Sequence, residues 1–213
     1  MSFKTDFIRF AIEQDALRFG DFMLKSGRRS PYFFNAGEFS GGAALAQLGQ
    51  YYVRAIEDCG IHFDMLFGPA YKGIPLATAT AIAFAAAGRD VPCAFNRKEI
   101  KDHGEGGALI GAELAGRVLI VDDVITAGTA IVESERIICE SGGVPVGVVI
   151  ALDRQERGRS KRSAVEEVEA RYGLRVAAIA SLSDLLDYVK NRPEMVETQS
   201  AIQDYLARYG ASS

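Results

Sequence analysis

Two adjacent carboxylates, Asp122 and Asp123, end an apolar run in the string Val118–Ala130, VLIVDDVITAGTA. The run before them has strand character, and a helical pattern begins at Thr129. A strand of an open α/β sheet delivers such carboxylates to its carboxyl end, where these sheets bind ligands. The intervening turn, Thr126, Ala127, Gly128 and Thr129, aims backbone N–H groups and two hydroxyls at one point, and the helix N-terminus adds partial positive charge there. Carboxylates suited to sugar hydroxyls thus stand beside a cradle suited to phosphate. The chemistry is that of a phosphorylated ribose. Aspartates at a strand end also serve as plain helix caps. Here apolar strand, paired acids, TAGT and helix occur together, which favours a ligand site. Other nucleotide signatures fail: Gly68–Pro75, GPAYKGIP, carries Ile74 where a Walker A loop needs lysine, and no GxGxxG occurs.

The whole string resembles the phosphoribosyl pyrophosphate (PRPP) signature of the type I phosphoribosyltransferases. Such a donor presents a 5′-phosphate, ribose hydroxyls and a pyrophosphate. The turn Ala70-Tyr71-Lys72-Gly73 is expected at the carboxyl end of the first sheet strand, where Lys72 offers charge and Gly73 lets backbone approach a pyrophosphate. The segment Arg97–Gly107, RKEIKDHGEGG, gathers Arg97, Lys98, Lys101 and His103 before three glycines within four residues. Read as a mobile cationic loop, it can close over a polyanion and neutralise a departing pyrophosphate. Glu99 and Asp102 interleave its bases, as in an ordinary solvated loop. Arg154, just past a sheet strand in LDRQER, can hold a planar carboxylate through two parallel hydrogen bonds. Ser30–Asn35, SPYFFN, supplies aromatic side chains to cover a flat ring.

Together, KSGRRSPYFFNAG, FGPAYKGIP, FNRKEIKDHGEGG and the VLIVDDVITAGTA string resemble the orotate phosphoribosyltransferases of the bacterial kind, from about Phe7 to Glu194. The resemblance implies transfer from PRPP to orotate with Mg²⁺, giving orotidine 5′-monophosphate and pyrophosphate, by a homodimer. It implies PRPP contacts at Lys25, Tyr71, Lys72, Arg97, Lys98, Lys101, His103 and along Asp122, Asp123, Val124, Ile125, Thr126, Ala127, Gly128, Thr129 and Ala130. Orotate would meet Phe33, Phe34, Thr126 and Arg154. Arg97 and Lys101 would reach the neighbouring subunit's site, while Lys98 serves its own. Lys101, Asp122 and Asp123 are the candidate catalytic residues, and Mg²⁺ is expected mainly on PRPP, with Asp122 or Asp123 meeting it directly or through water.

The elements that must position these residues follow from the pattern. A helix is expected over Phe3–Arg18, a hairpin-like cover around the turn Ser26–Ser30, and a helix over Ala43–Cys59 between Ser40 and Gly60. Strands and helices then alternate: Phe63–Phe67, Ile74–Ala87, Pro92–Asn96, Arg117–Asp122, Thr129–Ser141, Val144–Leu152, Ser163–Tyr172, Val176–Ala180, Ser183–Lys190 and Glu194–Tyr209. Near-continuous apolar strands between helices imply a type I phosphoribosyltransferase-like α/β fold, a parallel sheet covered on both faces. The first 40 or so residues break the alternation and are expected as a small hood over the sheet's carboxyl edge, within one domain spanning residues 1–213.

Composition narrows the classes. With 213 residues, 48% hydrophobic, a formal charge of -4 and a pI near 5.3, the chain suits one buried α/β domain and argues against a nucleic-acid surface. Cys59, Cys93 and Cys139 have no metal or redox spacing and read as small core residues in a reduced compartment. No signal-peptide run and no bilayer-length apolar stretch are present, which points to the cytoplasm and away from membranes. Two alternatives stay open: a phosphoribosyltransferase for another base, and a non-catalytic PRPP-sensing regulator.

Overall fold

The computed structural model describes residues 2–24, 26–101, 107–126, 128–158, 160–190 and 192–211. In chain order the elements are α1 (Phe3–Glu13), β1 (Leu17–Met23), β2 (Arg29–Phe34), α2 (Gly42–Cys59), β3 (Met65–Gly68), α3 (Gly73–Ala86), β4 (Cys93–Lys101), β5 (Gly107–Gly111), β6 (Arg117–Asp122), α4 (Thr129–Glu140), β7 (Val144–Asp153), α5 (Ala164–Tyr172), β8 (Arg175–Ser181), α6 (Leu182–Lys190) and α7 (Val196–Tyr209). Six strands form one sheet in the order β5-β4-β3-β6-β7-β8, parallel except for the antiparallel β5 at its edge. Helices cover both faces, and the central strands divide their side chains between them. Leu119 and Val121 of β6 face the core on the α3 side of the sheet, whereas Val118 and Ile120 face the core on the α4 side. All four are fully buried.

Chain direction makes the site. From β3 the chain runs to β4 on one side, then returns to build β6 on the other, so β3 and β6 are neighbours whose following turns diverge. A crevice must open between those turns, and this is where doubly wound sheets bind ligands. Close packing of strand and helix beneath it depends on two glycines. A Cβ on Gly68 would lie 2.4 Å from the Gly73 carbonyl oxygen, and one on Gly73 would lie 2.8 Å from that of Val121. Gly73 therefore serves the contact of α3 with the sheet.

Several elements differ from the sequence expectation. The first helix stops at Glu13, because Asp15 takes a left-handed φ of 57° and Leu17 and Arg18 enter β1. The hairpin is longer than expected, with a tight turn in which the Leu24 N–H donates to the Arg28 carbonyl. Gly41, not Ser40, precedes α2, while Gly60 ends it at φ 64°. Arg97, Lys98 and Lys101 stand on strand β4 and not in a loop, and β5, which composition did not suggest, pairs back onto it. The turn before the last helix is a short 3-10 segment, Pro193–Met195. Cys139 is exposed, and Cys59 and Cys93 are only partly buried, so none is a fully enclosed core residue.

Candidate active site

One cavity of about 1060 Å³ occupies the crevice. Its wall combines the β3–α3 turn, the β6–α4 turn, the segment after β7 and the β1–β2 hairpin, which reaches over the carboxyl edge of the sheet.

Asp122 and Asp123 lie at its floor, 8% and 6% exposed. The Asp122 carboxylate accepts from the Asp123 N–H at 2.9 Å, and its carbonyl accepts from the buried Tyr52 hydroxyl at 2.9 Å. Burial, with the Asp123 charge added, pushes the Asp122 carboxyl up to about 7. Burial likewise raises Tyr52 well above the usual phenol range, so it stays a neutral donor. Asp123 accepts from the Val124 N–H at 2.9 Å and pairs with Lys72 Nζ at 2.6 Å. Lys72 and Asp123, expected on different parts of one ligand, are thus joined directly across the crevice.

The β3–α3 turn is fixed by Asn96, whose side-chain oxygen accepts from the Ala70 N–H at 2.7 Å. Tyr71 is 65% exposed, and the Lys98 ammonium sits 5.0 Å from its ring centroid. Lys98 lines the cavity; Arg97, its neighbour on β4, does not. On the β6–α4 turn, Val124, Ile125, Thr126 and Ala130 line the cavity, and the Ile125 side chain is buried in the core. Gly128 takes φ 69° and starts α4 without a side-chain cap, so the first N–H groups of that helix have no capping side chain. Gly128 and Thr129 are not on the cavity wall. Lys25, His103 and Ala127 lie outside the described residues, as does the Lys101 side chain.

At the other end stands Arg154. Asp153 accepts from the Gln155 N–H at 2.9 Å in a side-chain-closed turn, and Gln155 takes φ 51°. That turn folds Arg154 back onto the cavity wall. Its Nε donates to Glu156 Oε1 at 2.7 Å, and its guanidinium lies over the Tyr32 ring at 5.4 Å. Nη2 is buried and lies 2.6 Å from the same Glu156 oxygen as an ion pair. One shared oxygen does not use up the several N–H donors of a guanidinium, so Arg154 can take a further acceptor. Phe33 is partly exposed and packs with Phe22, whereas Phe34 is buried and packs with Phe39. Both border the cavity.

Glu156, Arg28 and Tyr205 belong to this wall or brace it, and sequence reading missed them. Glu156 accepts from the Tyr205 hydroxyl at 2.7 Å and pairs with Arg28 at 3.1 Å. The available signal was only that Glu156 and Arg28 flank residues already singled out.

Comparisons with known proteins place the chain in a family. The Phosphoribosyl transferase domain family matches residues 40–173. An orotate phosphoribosyltransferase of Thioalkalivibrio sulfidiphilus is 60% identical over 98% of this chain and 99% of its own. The orotate phosphoribosyltransferase structure from Francisella tularensis superposes with a TM-score of 0.87 at 40% identity, over 96% of this chain and 99% of that one. The Mycobacterium tuberculosis H37Rv orotate phosphoribosyltransferase in complex with PRPP superposes with a TM-score of 0.66 at 25% identity, over 86% of this chain and 99% of that one. Fold and crevice define a phosphoribosyltransferase. Within that class the chain belongs to the orotate phosphoribosyltransferases.

Proposed function

We propose that this chain transfers the 5-phosphoribosyl group of PRPP to orotate, giving orotidine 5′-monophosphate and pyrophosphate for pyrimidine synthesis. One observation carries the choice of acceptor: Arg154 presents a buried guanidinium on the wall of the cavity that also holds the paired carboxylates. Orotate is a flat ring with a carboxylate, and Arg154 with Phe33 and Phe34 beside it meets both features.

No protein nucleophile is required. The C1–oxygen bond of PRPP breaks with its electron pair leaving on pyrophosphate, and the orotate ring nitrogen supplies the pair for the new C1–nitrogen bond. Its proton passes to solvent. Positive charge grows on the ribose in between. Asp122, with its carboxyl near neutrality, is drawn to its ionised form by that charge, and Asp123 stands beside it. The uncapped start of α4 and Thr126 suit the 5′-phosphate. Lys72, Tyr71 and Lys98 suit the pyrophosphate, with Lys101 and Arg97 approaching from a second subunit and Lys25 and His103 adding contacts to PRPP.

Asp122 and Asp123 fit Mg²⁺, which takes one or two carboxylates together with substrate phosphate oxygens. When bound, the ion would offset charge on the leaving pyrophosphate. A homodimer is supported by α3, which is apolar except for Thr78 and Thr80 and leaves Ile82 61% exposed. No helix among the described residues is long and apolar enough to cross a membrane, in keeping with a cytoplasmic setting.

Pyrophosphate release from PRPP, measured with orotate, uracil and hypoxanthine, tests the reading. Orotate alone should support turnover. Uracil lacks the carboxylate and should be rejected by roughly 10⁴. Arg154→Ala should lose most activity with orotate and narrow the orotate-to-uracil ratio. A wild-type ratio in that variant would remove Arg154 from the acceptor site.

A further inference from the structure

A carboxylate beside the guanidinium meant for a carboxylate ligand is a problem the cavity must solve. Glu156 lies 2.6 Å from Arg154, and that pair alone has no net charge. It would give an anionic base little advantage over a neutral one. The other Glu156 oxygen, Oε2, is taken by Arg28 Nη1 at 3.1 Å. Arg28 is itself held on the cavity wall, donating to the Arg157 carbonyl at 3.2 Å and lying 5.3 Å from the Tyr209 ring centroid. Tyr205 pins Oε1 by its hydroxyl, which burial and the Glu156 bond push up to about 12. The three charged side chains are 28%, 14% and 14% exposed for Arg28, Glu156 and Arg154, so solvent screens them weakly.

We infer that Arg28 is a specificity-determining residue: by offsetting Glu156, it leaves the Arg154 positive charge free for the acceptor's carboxylate. The inference rests on the assignment of Arg154 to the orotate carboxylate. Glu156 orients Arg154, and Arg28 cancels the repulsion that this orientation would otherwise bring. The cluster carries one net positive charge, matched to one carboxylate.

Charge removal in steps tests this. The readout is orotate kcat/KM against the inhibition constant of uracil as a competitor, a ratio from which effects on PRPP largely cancel. Arg28→Gln leaves a neutral Arg154–Glu156 pair and should narrow the ratio by about tenfold or more. Glu156→Gln keeps an acceptor oxygen for Arg154 and Tyr205 while raising the net charge, and should widen it. The double variant returns the cluster to one net charge and should recover most of the ratio lost in Arg28→Gln. A merely structural role for Arg28 would make the double variant no better than the single one, and that result overturns the inference. Should Arg28→Gln fail to fold, Glu156→Gln decides alone, and an unchanged or narrower ratio there overturns it. Arg154→Ala runs alongside. If it leaves the ratio intact, the acceptor-site assignment itself falls. If it collapses the ratio while Arg28→Gln does not, only the role of Arg28 falls.

Discussion

Asp122 is held in its fold at a cost. Its carboxyl is buried beside Asp123, and the ordinary value of 3.8 is pushed up to about 7. The folded chain therefore holds this proton where the unfolded chain has lost it. Below about pH 3.8 both states are protonated and no penalty arises. The penalty grows as pH rises through the interval and is complete above about 7, where it reaches on the order of 4 kcal/mol. Asp122→Asn cannot ionise, yet its side-chain oxygen can still accept from the Asp123 N–H. The variant should be more stable than wild type at pH 8 and closer to it at pH 5, as read from urea unfolding at the two values. A gap that shrinks from pH 5 to pH 8 would contradict the raised carboxyl. The same variant, combined with Asp123→Asn, should lose turnover by orders of magnitude, so stability and activity part at this one position.

Elements were legible where a single local rule governs them. Arg117–Asp122 is bounded by Gly116 and by the acids, and its apolar run has no competing pattern, so the strand was found end to end. Ser163 with Glu166 forms a complete capping box at the start of α5, one residue after which the helix begins. The segment after Asn96 reads as a loop in sequence, yet β4 continues through it with charged side chains toward the sheet edge, where pairing to β5 needs no apolar alternation. Beyond its neighbour Arg154, the partners that hold Glu156 in the wall, Arg28 and Tyr205, lie 128 and 49 residues away. No spacing rule reaches that far. Gly68 tests the element that carries Tyr71 and Lys72. A Cβ there meets the Gly73 backbone at 2.4 Å, so α3 must move off β3. Gly68→Ala should cost about 1–3 kcal/mol, seen as a melting point lower by several degrees, and should raise the KM for PRPP as Lys72 shifts. An unchanged melting point would mean that the strand and helix have room to spare.

At the scale of the whole molecule, the proposed site is incomplete in one chain. The floor, the Lys72 turn and Arg154 line the cavity of one chain, while Lys101, which ends β4 opposite Gly107, would on the proposed reading come from a second one. Its charge should matter most as pyrophosphate departs, so Lys101→Ala should lower kcat far more than it weakens PRPP binding. Two inactive dimers then give a decisive mixture: one of Lys101→Ala chains, the other of Asp122→Asn/Asp123→Asn chains. After subunit exchange, each hybrid joins an intact floor from the first chain to an intact lysine from the second. Its other site carries both defects. With full exchange half of the dimers are hybrids with one good site of two, so activity should return to about a quarter of the wild-type level, rising at the rate of exchange. If the lysine served its own subunit, each site would take floor and lysine from one chain, and every site in every dimer would stay defective. Hybrids verified by mass, yet silent in the pyrophosphate assay, would therefore assign Lys101 to its own chain and end the shared-site model.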